Sequence, residues 1–462
     1  MPPLSRRADT TRPPRARPAH ARSSGESSEG TAARYGAPRG PDGSDHRTAV
    51  LAIGEGLAFD VRMSFDVRTR VDGDADRLER GAARVAIAAA LDAAADLLRP
   101  VLHLAKRPLT VDVGGDTWNL ASDGRSVALR DGAAREGLRL RLTEEQLADL
   151  WCDQATPMGW FSSGALDLDG RLEHLLDWWV LLRGAIDQRA PHVAGDIDFS
   201  GTDLARSFSL DDRDEDIAAF FADAGFVHLR GVYDDDEMAA VSRDMDAAAP
   251  TYERGDGRSW WARTSDGVDR LVRMQGADTV CPSIGRLVED ERLARIGAIT
   301  QAGHEWGTRT GNRIEALFKP IGVVEGISDV PWHKDCSLGR HSYECYSVTV
   351  GISVSGADAT SGQLRVVAGS HRALVWPAFV RRDNDLPIVD LPTQTGDVTM
   401  HLSCTLHMAQ PPVERERRVL YTGFRLPPAN PAATRAARER LGKVREAASV
   451  TVSQPASSVI RS

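Results

Sequence analysis

A chain of 462 residues with 42% hydrophobic residues is long enough for two or three domains with buried cores. A net charge of −9 argues against nucleic acid as a partner, and no apolar run reaches membrane-spanning length. The five cysteines are odd in number and lack a CxxC spacing, which predicts free thiols and a cytoplasmic location.

The first part of the chain predicts a disordered tail and then a small α/β domain over residues 49–190. Residues 1–48 are rich in Pro, Arg, Ser and Gly and carry too little apolar surface to fold. Residues 61–67 alternate as a strand does, and the Ala- and Leu-rich residues 84–98 predict a helix that Pro100 stops. Short strands are predicted at 109–113, 117–120, 126–129 and 138–142.

The rest of this domain predicts a helix that Thr143 opens, with Gln146 three residues on, and a strand at 165–168. An apolar helix with Trp178 and Trp179 follows at 172–186. In this element order, residues 60–188 resemble the sterol carrier protein type 2-like family, which implies a lipid- or acyl-binding pocket. A scaffold that only packs or dimerises is the alternative, because paired tryptophans also suit a core.

A polar, irregular stretch predicts a linker over residues 191–210. The next domain, 211–430, starts with a helix and a strand, and from residue 316 short strands separated by turns dominate. Their spacing favours a barrel or a double-layered β-roll over βαβ units. Residues 431–462 predict a helical or disordered tail, with an Ala/Arg/Glu-rich helix at 432–448.

The candidate chemistry lies in this second domain. His333 and Asp335 would point to the same face of a strand, so both side chains could reach one ion. His407 supplies a second histidine, with His401 as its rival, and two histidines with one carboxylate leave three iron positions open. Arg418 begins the alternating strand 419–424 and could hold a carboxylate, although the charged run 414–418 also suits a solvated surface.

Four motifs in this order resemble the phytanoyl-CoA dioxygenase family. They are AGFVHLRGV at 224–232, the His333/Asp335 pair, SGQLRVVAGSHR at 361–372 and the Gly-Asp-Val turn at 396–398. The resemblance implies an α+β chain whose second domain is a double-stranded β-helix (jelly roll, cupin-like). It also implies Fe(II), 2-oxoglutarate and O₂, and hydroxylation of an unactivated carbon in a small, apolar or acyl-type substrate.

Carried over residue by residue, the resemblance makes His333, Asp335 and His407 the metal ligands and Arg418 the anchor of 2-oxoglutarate. Two departures bear on this assignment. Ala409 stands where a small hydroxyl residue is common, and the spacing from His401 to His407 is one residue longer than expected.

Other interpretations of the sequence stay open. One is a non-catalytic lipid- or acyl-binding protein with a degenerate roll, and another is a cupin-like metalloenzyme that does not use 2-oxoglutarate. Lys319 and Lys334 stand out because only four of the 57 basic residues are lysines, and Lys334 should alternate away from the metal. His371 is expected to be structural, and the first domain is expected to handle substrate and take no part in the chemistry.

Overall fold

The fold is described from a computed structural model that covers residues 81–306, 313–326, 328–329, 332–338, 347–375 and 385–427. The predicted tail at 1–48, strand at 61–67 and helix at 432–448 lie outside these residues. The described residues all belong to one compact unit. None of the helices among them is long and apolar enough to cross a membrane.

The first domain is a five-stranded sheet covered by helices. Its strands lie in the order β3-β2-β1-β4-β5, and only the central pair β1–β4 is parallel. The predicted helix at 84–98 is divided at Ala94. The elements are α1 (Ala83–Ala93), α2 (Ala95–Leu98), a 3-10 helix (Arg99–Leu104), β1 (Leu109–Val113), β2 (Asp116–Ser122), β3 (Val127–Asp131), β4 (Leu138–Leu142), α3 (Glu144–Trp151), α4 (Pro157–Ser163), β5 (Asp167–Asp169) and α5 (Leu172–Ile186).

Local sequence signals account for these elements. Thr143 and Gln146 form the predicted capping box at the start of α3. Gly164 ends α4 in the left-handed conformation that favours glycine. Trp178 and Trp179 are both buried in the hydrophobic core of this domain, and Trp178 donates a hydrogen bond to the Arg107 carbonyl at 2.7 Å. The paired tryptophans are therefore core residues.

The segment 191–210 has no helix or strand but packs against the following domain. Phe199 and Phe208 are buried in two of its hydrophobic clusters. Phe208 also exchanges backbone hydrogen bonds with His228 and Arg230. The segment is therefore irregular, as its polar composition predicts, and it packs against the second domain.

The second domain is the double-layered roll that the strand spacing predicts. A nine-stranded sheet has the order β11-β7-β8-β10-β17-β12-β15-β6, with β9 beside β17, and a three-stranded sheet has the order β14-β13-β16. The helices are α6 (Asp214–Ala224), α7 (Asp235–Ala248), α8 (Ala277–Val280), α9 (Pro282–Val288) and α10 (Glu291–Ala298). The strands are β6 (Phe226–Leu229), β7 (Ser259–Thr264), β8 (Asp269–Met274), β9 (Glu305–Trp306), β10 (Glu315–Lys319), β11 (Val323–Glu325), β12 (Ser347–Ser353), β13 (Leu364–Val367), β14 (Ile388–Leu391), β15 (Val398–Leu402), β16 (His407–Ala409) and β17 (Arg417–Arg425).

Helix α7 covers one face of the large sheet. Its Met238 and Met245 share a hydrophobic cluster with Val350 of β12 and Leu420 of β17. Side chains alternate between the two faces of a strand, so residues 349, 351, 421 and 423 face the other way. That second face is the one turned toward the candidate site.

Candidate metal centre

The structure brings together the three side chains that the sequence predicts as metal ligands. One donor atom from each of His333, Asp335 and His407 lies within 4.8 Å of the other two. Asp335 Oδ1 is 3.4 Å from Nε2 of His333 and 3.7 Å from Nε2 of His407. Donors about 2.1 Å from a shared ion stand about 3 Å apart when adjacent, so this spacing fits one metal.

The His333–Asp335 pair reaches the site by a different route from the predicted strand alternation. His333 forms an isolated antiparallel bridge with His407, with backbone hydrogen bonds of 2.9 and 3.0 Å in the two directions. Asp335 then begins a short 3-10 helix, Asp335–Leu338. The bridge holds the two histidines opposite each other, and the turn of the 3-10 helix brings the carboxylate beside them.

His407 is oriented by its own backbone neighbourhood. Its Nδ1 lies 2.8 Å from the Thr405 carbonyl oxygen. A carbonyl can only accept, so Nδ1 carries the proton and Nε2 is left as the donor to a metal. The Thr405 hydroxyl in turn donates to the Gly225 carbonyl at 2.6 Å, which ties the ligand segment to the start of β6.

The charges of the site suit a cation. Burial opposes ionisation of Asp335, but attraction from His407 and His333 outweighs it, and the pKa of Asp335 lies well below its usual range. Burial and then repulsion by His401 and His333 lower the pKa of His407 well below its usual value. A carboxylate and a neutral imidazole are the protonation states that metal binding requires.

Thr349 of β12 orients the carboxylate. Its hydroxyl donates to Asp335 Oδ2 at 2.8 Å, which leaves Oδ1 directed at the two histidines. Hydrogen bonds of this kind reduce the freedom of a metal ligand and tune its basicity. Thr349 is not among the site residues predicted from the sequence. The alternation of polar and apolar residues along β12 is the signal that indicates its face of the strand.

We expect Thr349→Val to weaken iron binding by about ten- to a hundredfold, because the Asp335 carboxylate loses the hydrogen bond that orients it. Chelator competition with Fe(II) measures the effect. Thr422→Val is the matched control, since Thr422 lies on the opposite face of the sheet and donates to the Arg313 carbonyl. Equal iron affinity in the two variants would contradict a role for Thr349.

Ser370 forms hydrogen bonds to both of the segments that carry the proposed metal ligands. Its hydroxyl accepts the Leu406 N–H at 2.7 Å, and its carbonyl accepts Nζ of the buried Lys334 at 3.0 Å. Lys334 therefore points away from the metal face, as its place in the sequence predicts. His371 lies beyond this turn and its Nε2 contacts the Ala222 carbonyl at 2.9 Å, which suits the structural role expected of it.

His401 lies beside the site but outside the donor cluster found among the described residues. It is on β15 opposite Thr349, and its ring stacks on that of His407 with 4.0 Å between centroids. The chain leaves the large sheet after β15 and enters the small sheet at β16. His401 and His407 therefore lie on strands of different sheets.

The structure does not place Arg418 at the site, and this corrects the sequence prediction. Strand β17 lies between β10 and β12 in the large sheet, whereas the His407 strand β16 pairs with β13 in the small sheet. The Arg418 guanidinium lies on the α7 side, where it contacts Asp246 at 2.8 Å and the Ser242 hydroxyl at 2.8 Å.

The side chain of Arg417 lies on the opposite face of β17, the inward face, which is turned toward the candidate site. It shares that face with Tyr421, whose ring packs beside Gly351, two residues from the Thr349 that contacts Asp335. Its side chain is 4% exposed, and Nε and Nη2 have no hydrogen-bond partner among the described residues. A buried guanidinium whose N–H donors are not satisfied can bind an anionic ligand.

Lys319 of β10 stands directly opposite Arg417 in the antiparallel pair and is also 4% exposed. Its Nζ contacts the Ser328 carbonyl and lies 3.4 Å from Asp329 Oδ1. Burial and repulsion from Arg417 lower the pKa of Lys319 to about 8, against the attraction of Asp329. Like charges opposite each other in a sheet are unfavourable, so an anion between them would stabilise both.

Comparison with known proteins finds one similar sequence family. Residues 221–418 match the sequence profile of phytanoyl-CoA dioxygenase (PhyH). This part of the chain, 198 of the 462 residues, is similar to the phytanoyl-CoA dioxygenase family. The cofactors of that family are Fe(II) and 2-oxoglutarate, and two imidazoles with one carboxylate are a donor set that suits Fe(II).

Solved structures similar to the phytanoyl-CoA dioxygenase-type domain match it at low identity. AviO1 from Streptomyces viridochromogenes Tue57 is 21% identical over 47% of this chain and 97% of its own, with a TM-score of 0.37. The non-heme alpha ketoglutarate dependent epimerase SnoN from nogalamycin biosynthesis is 20% identical over 48% and 88%, with a TM-score of 0.37. EctD from S. alaskensis with 2-oxoglutarate and 5-hydroxyectoine is 16% identical over 51% and 82%, with a TM-score of 0.37. No curated protein matches the chain.

Proposed function

We propose that the protein is an Fe(II)- and 2-oxoglutarate-dependent dioxygenase that hydroxylates an unactivated carbon of a small, apolar or acyl-type substrate. His333, Asp335 and His407 would hold the iron. The observation that carries this proposal is the convergence of these three donors within 4.8 Å of one another. The family supports the reaction class, in which substrate, 2-oxoglutarate and O₂ give hydroxylated substrate, succinate and CO₂.

Arg417 and Lys319 would bind the distal carboxylate of 2-oxoglutarate. Both are buried cations on the inward face of adjacent strands, and Nε and Nη2 of Arg417 have no hydrogen-bond partner in the described part of the chain. A guanidinium can bind a carboxylate through two parallel hydrogen bonds, and the Lys319 ammonium adds a second charge. One dianionic co-substrate would then offset the repulsion between the two side chains.

Succinate formation tests the proposal directly. The full-length protein should bind one Fe(II) and convert 2-oxoglutarate to succinate in the presence of O₂, and one oxygen atom should appear in the organic product. Stoichiometric lipid or acyl-chain binding with neither iron uptake nor succinate would favour the non-catalytic alternative. Oxidation that proceeds without 2-oxoglutarate, and that Arg417→Ala leaves unchanged, would favour a cupin-like enzyme.

The pH dependence of co-substrate binding tests the role of Lys319. Because burial lowers its pKa to about 8, Lys319 is mostly charged at pH 7 and mostly neutral at pH 9 in the free enzyme. We expect the apparent KM for 2-oxoglutarate to rise above pH 8, by up to about tenfold per unit if binding requires the charged amine.

Two variants isolate this effect. Lys319→Met should raise the KM at pH 7 and abolish its rise with pH, whereas Lys319→Arg should keep the charge at all these pH values and show no rise. The measurement is the KM for 2-oxoglutarate from pH 6.5 to 9.5 at saturating iron, a range chosen to bracket the pKa of about 8. A rise above pH 8 that persists in Lys319→Met would assign the titration to another group.

A further inference from the structure

The first domain packs against the segment that carries the first two metal ligands. Helix α4 lies against the 3-10 helix that Asp335 begins. Residues 152–160, which comprise the turn before α4 and its first four residues, are buried throughout. Met158 and Trp160 of α4 belong to the hydrophobic core of the first domain, and α4 also contacts the 3-10 helix of the second domain.

A second contact lies at the turn that follows the Gly-Ser-His motif. Leu374 of this turn belongs to the hydrophobic core of the first domain, together with Leu98 and Leu181. Arg189, just beyond α5, donates from Nη2 to the Arg372 carbonyl at 2.7 Å. Two separate parts of the first domain therefore reach the second domain near the metal centre.

The same turn supports the ligand pair. The carbonyl oxygens of Ser370 and Ala373 accept hydrogen bonds from Lys334 Nζ at 3.0 and 3.1 Å. Lys334 lies between His333 and Asp335 in the sequence, so a displaced turn would displace both ligands. The contacts run from Arg189 and Leu374 to the turn, from the turn to Lys334, and from Lys334 to the metal ligands.

Within the first domain, Arg183 forms hydrogen bonds to the end of α3, just before the turn that leads into α4. The guanidinium of Arg183 on α5 is buried and donates from Nη1 to the carbonyls of Leu150 and Trp151 at 2.9 and 3.1 Å. It also pairs with both oxygens of Asp187, at 2.5 and 2.8 Å. These bonds fix the end of α3 and thus the turn that leads into α4.

We propose that the first domain is a structural part of the metal centre, with Leu374 and Arg189 as positioning residues for the His333–Asp335 pair. The pair lies in an isolated bridge and a four-residue 3-10 helix, not in a continuous ladder. Such short elements have weak internal hydrogen bonding and depend on outside contacts. The sequence predicts a separate substrate-handling domain, so this inference gives it a different role, and it rests on the proposed iron site.

The full-length double variant Leu374→Ser/Arg189→Met tests the inference. We expect iron affinity, measured by chelator competition without 2-oxoglutarate, to fall about ten- to a hundredfold. In the metal-free protein, amide hydrogen exchange at 333–338 should become faster, while exchange in α5 and in β12 stays as in the wild type. Val85→Ser is the matched control, because Val85 belongs to the first domain and is 73% exposed.

Unchanged iron affinity and unchanged exchange at 333–338 in the double variant would overturn the inference. If the double variant does not fold, Arg189→Met alone decides by the same two measurements, since it removes the bond to Arg372 and keeps Leu374. The exchange measurement needs no metal. Failure of the wild type to bind iron would therefore count against the proposed function, while faster exchange in the variant would still support the positioning role.

Discussion

Asp335→Ala should abolish both tight Fe(II) binding and turnover while the roll remains folded. The carboxylate is the one anionic donor of the proposed triad, and its Oδ1 lies between Nε2 of His333 and Nε2 of His407. Two neutral imidazoles alone hold a divalent ion weakly, and the family chemistry needs all three donors on one face of the iron. The loss in turnover should exceed that of any other single substitution described above.

Iron content after chelator challenge, succinate formation and the thermal unfolding midpoint are the three measurements. Asp390→Ala is the matched control, because Asp390 lies on β14 of the small sheet, where it pairs with Arg365 at a half-exposed site. The control should keep wild-type iron binding. Wild-type turnover of Asp335→Ala at saturating iron would remove Asp335 from the metal site.

Arg417→Ala should raise the apparent KM for 2-oxoglutarate strongly, and Arg418→Ala should leave it nearly unchanged. The loss of one partner from a buried charge-assisted pair costs about 2–5 kcal/mol, which corresponds to roughly thirtyfold to several thousandfold in affinity. Arg418 instead pairs with a largely exposed Asp246 on α7. An exposed pair of this kind contributes only about 0–1 kcal/mol to stability.

Steady-state kinetics in 2-oxoglutarate at fixed iron, with iron affinity measured separately, give the comparison. Iron affinity should be the same in both variants, because neither arginine belongs to the donor cluster. The two residues are adjacent and chemically identical, so the comparison reports only on the face of the strand. A large effect from Arg418→Ala and none from Arg417→Ala would show that the register of β17 differs from the one described.

The two arginines show what the sequence alone could not determine. The sequence pointed to Arg418, whereas the structure places the Arg418 side chain on the α7 face of β17. In a strand between two others, with α7 on one face and the site on the other, both faces are buried and the hydrophobic pattern does not identify the inward one. Only the pairing of β17 with β12 and β10 determined the direction of each side chain.

The sequence by itself determined the features that depend on local chemistry. Its motifs predicted the family that the profile match supports, the roll followed from strand spacing, and the capping box at Thr143 appears where predicted. His333, Asp335 and His407 were named from residue type and spacing, and the structure brings them together. Each of these signals is either confined to a few neighbouring residues or given by the order of motifs along the sequence.

The tertiary structure alone decided the features that depend on contacts between distant segments. Thr349 and Asp335 meet across 14 positions, and Arg189 meets Arg372 across 183. The polar composition of 191–210 predicted a linker, and the structure adds that Phe199 and Phe208 of this segment are buried in the second domain. The free energy gained by burying a few aromatic side chains depends on the apolar area removed from water. The amino-acid composition of a segment does not show which of its side chains are buried.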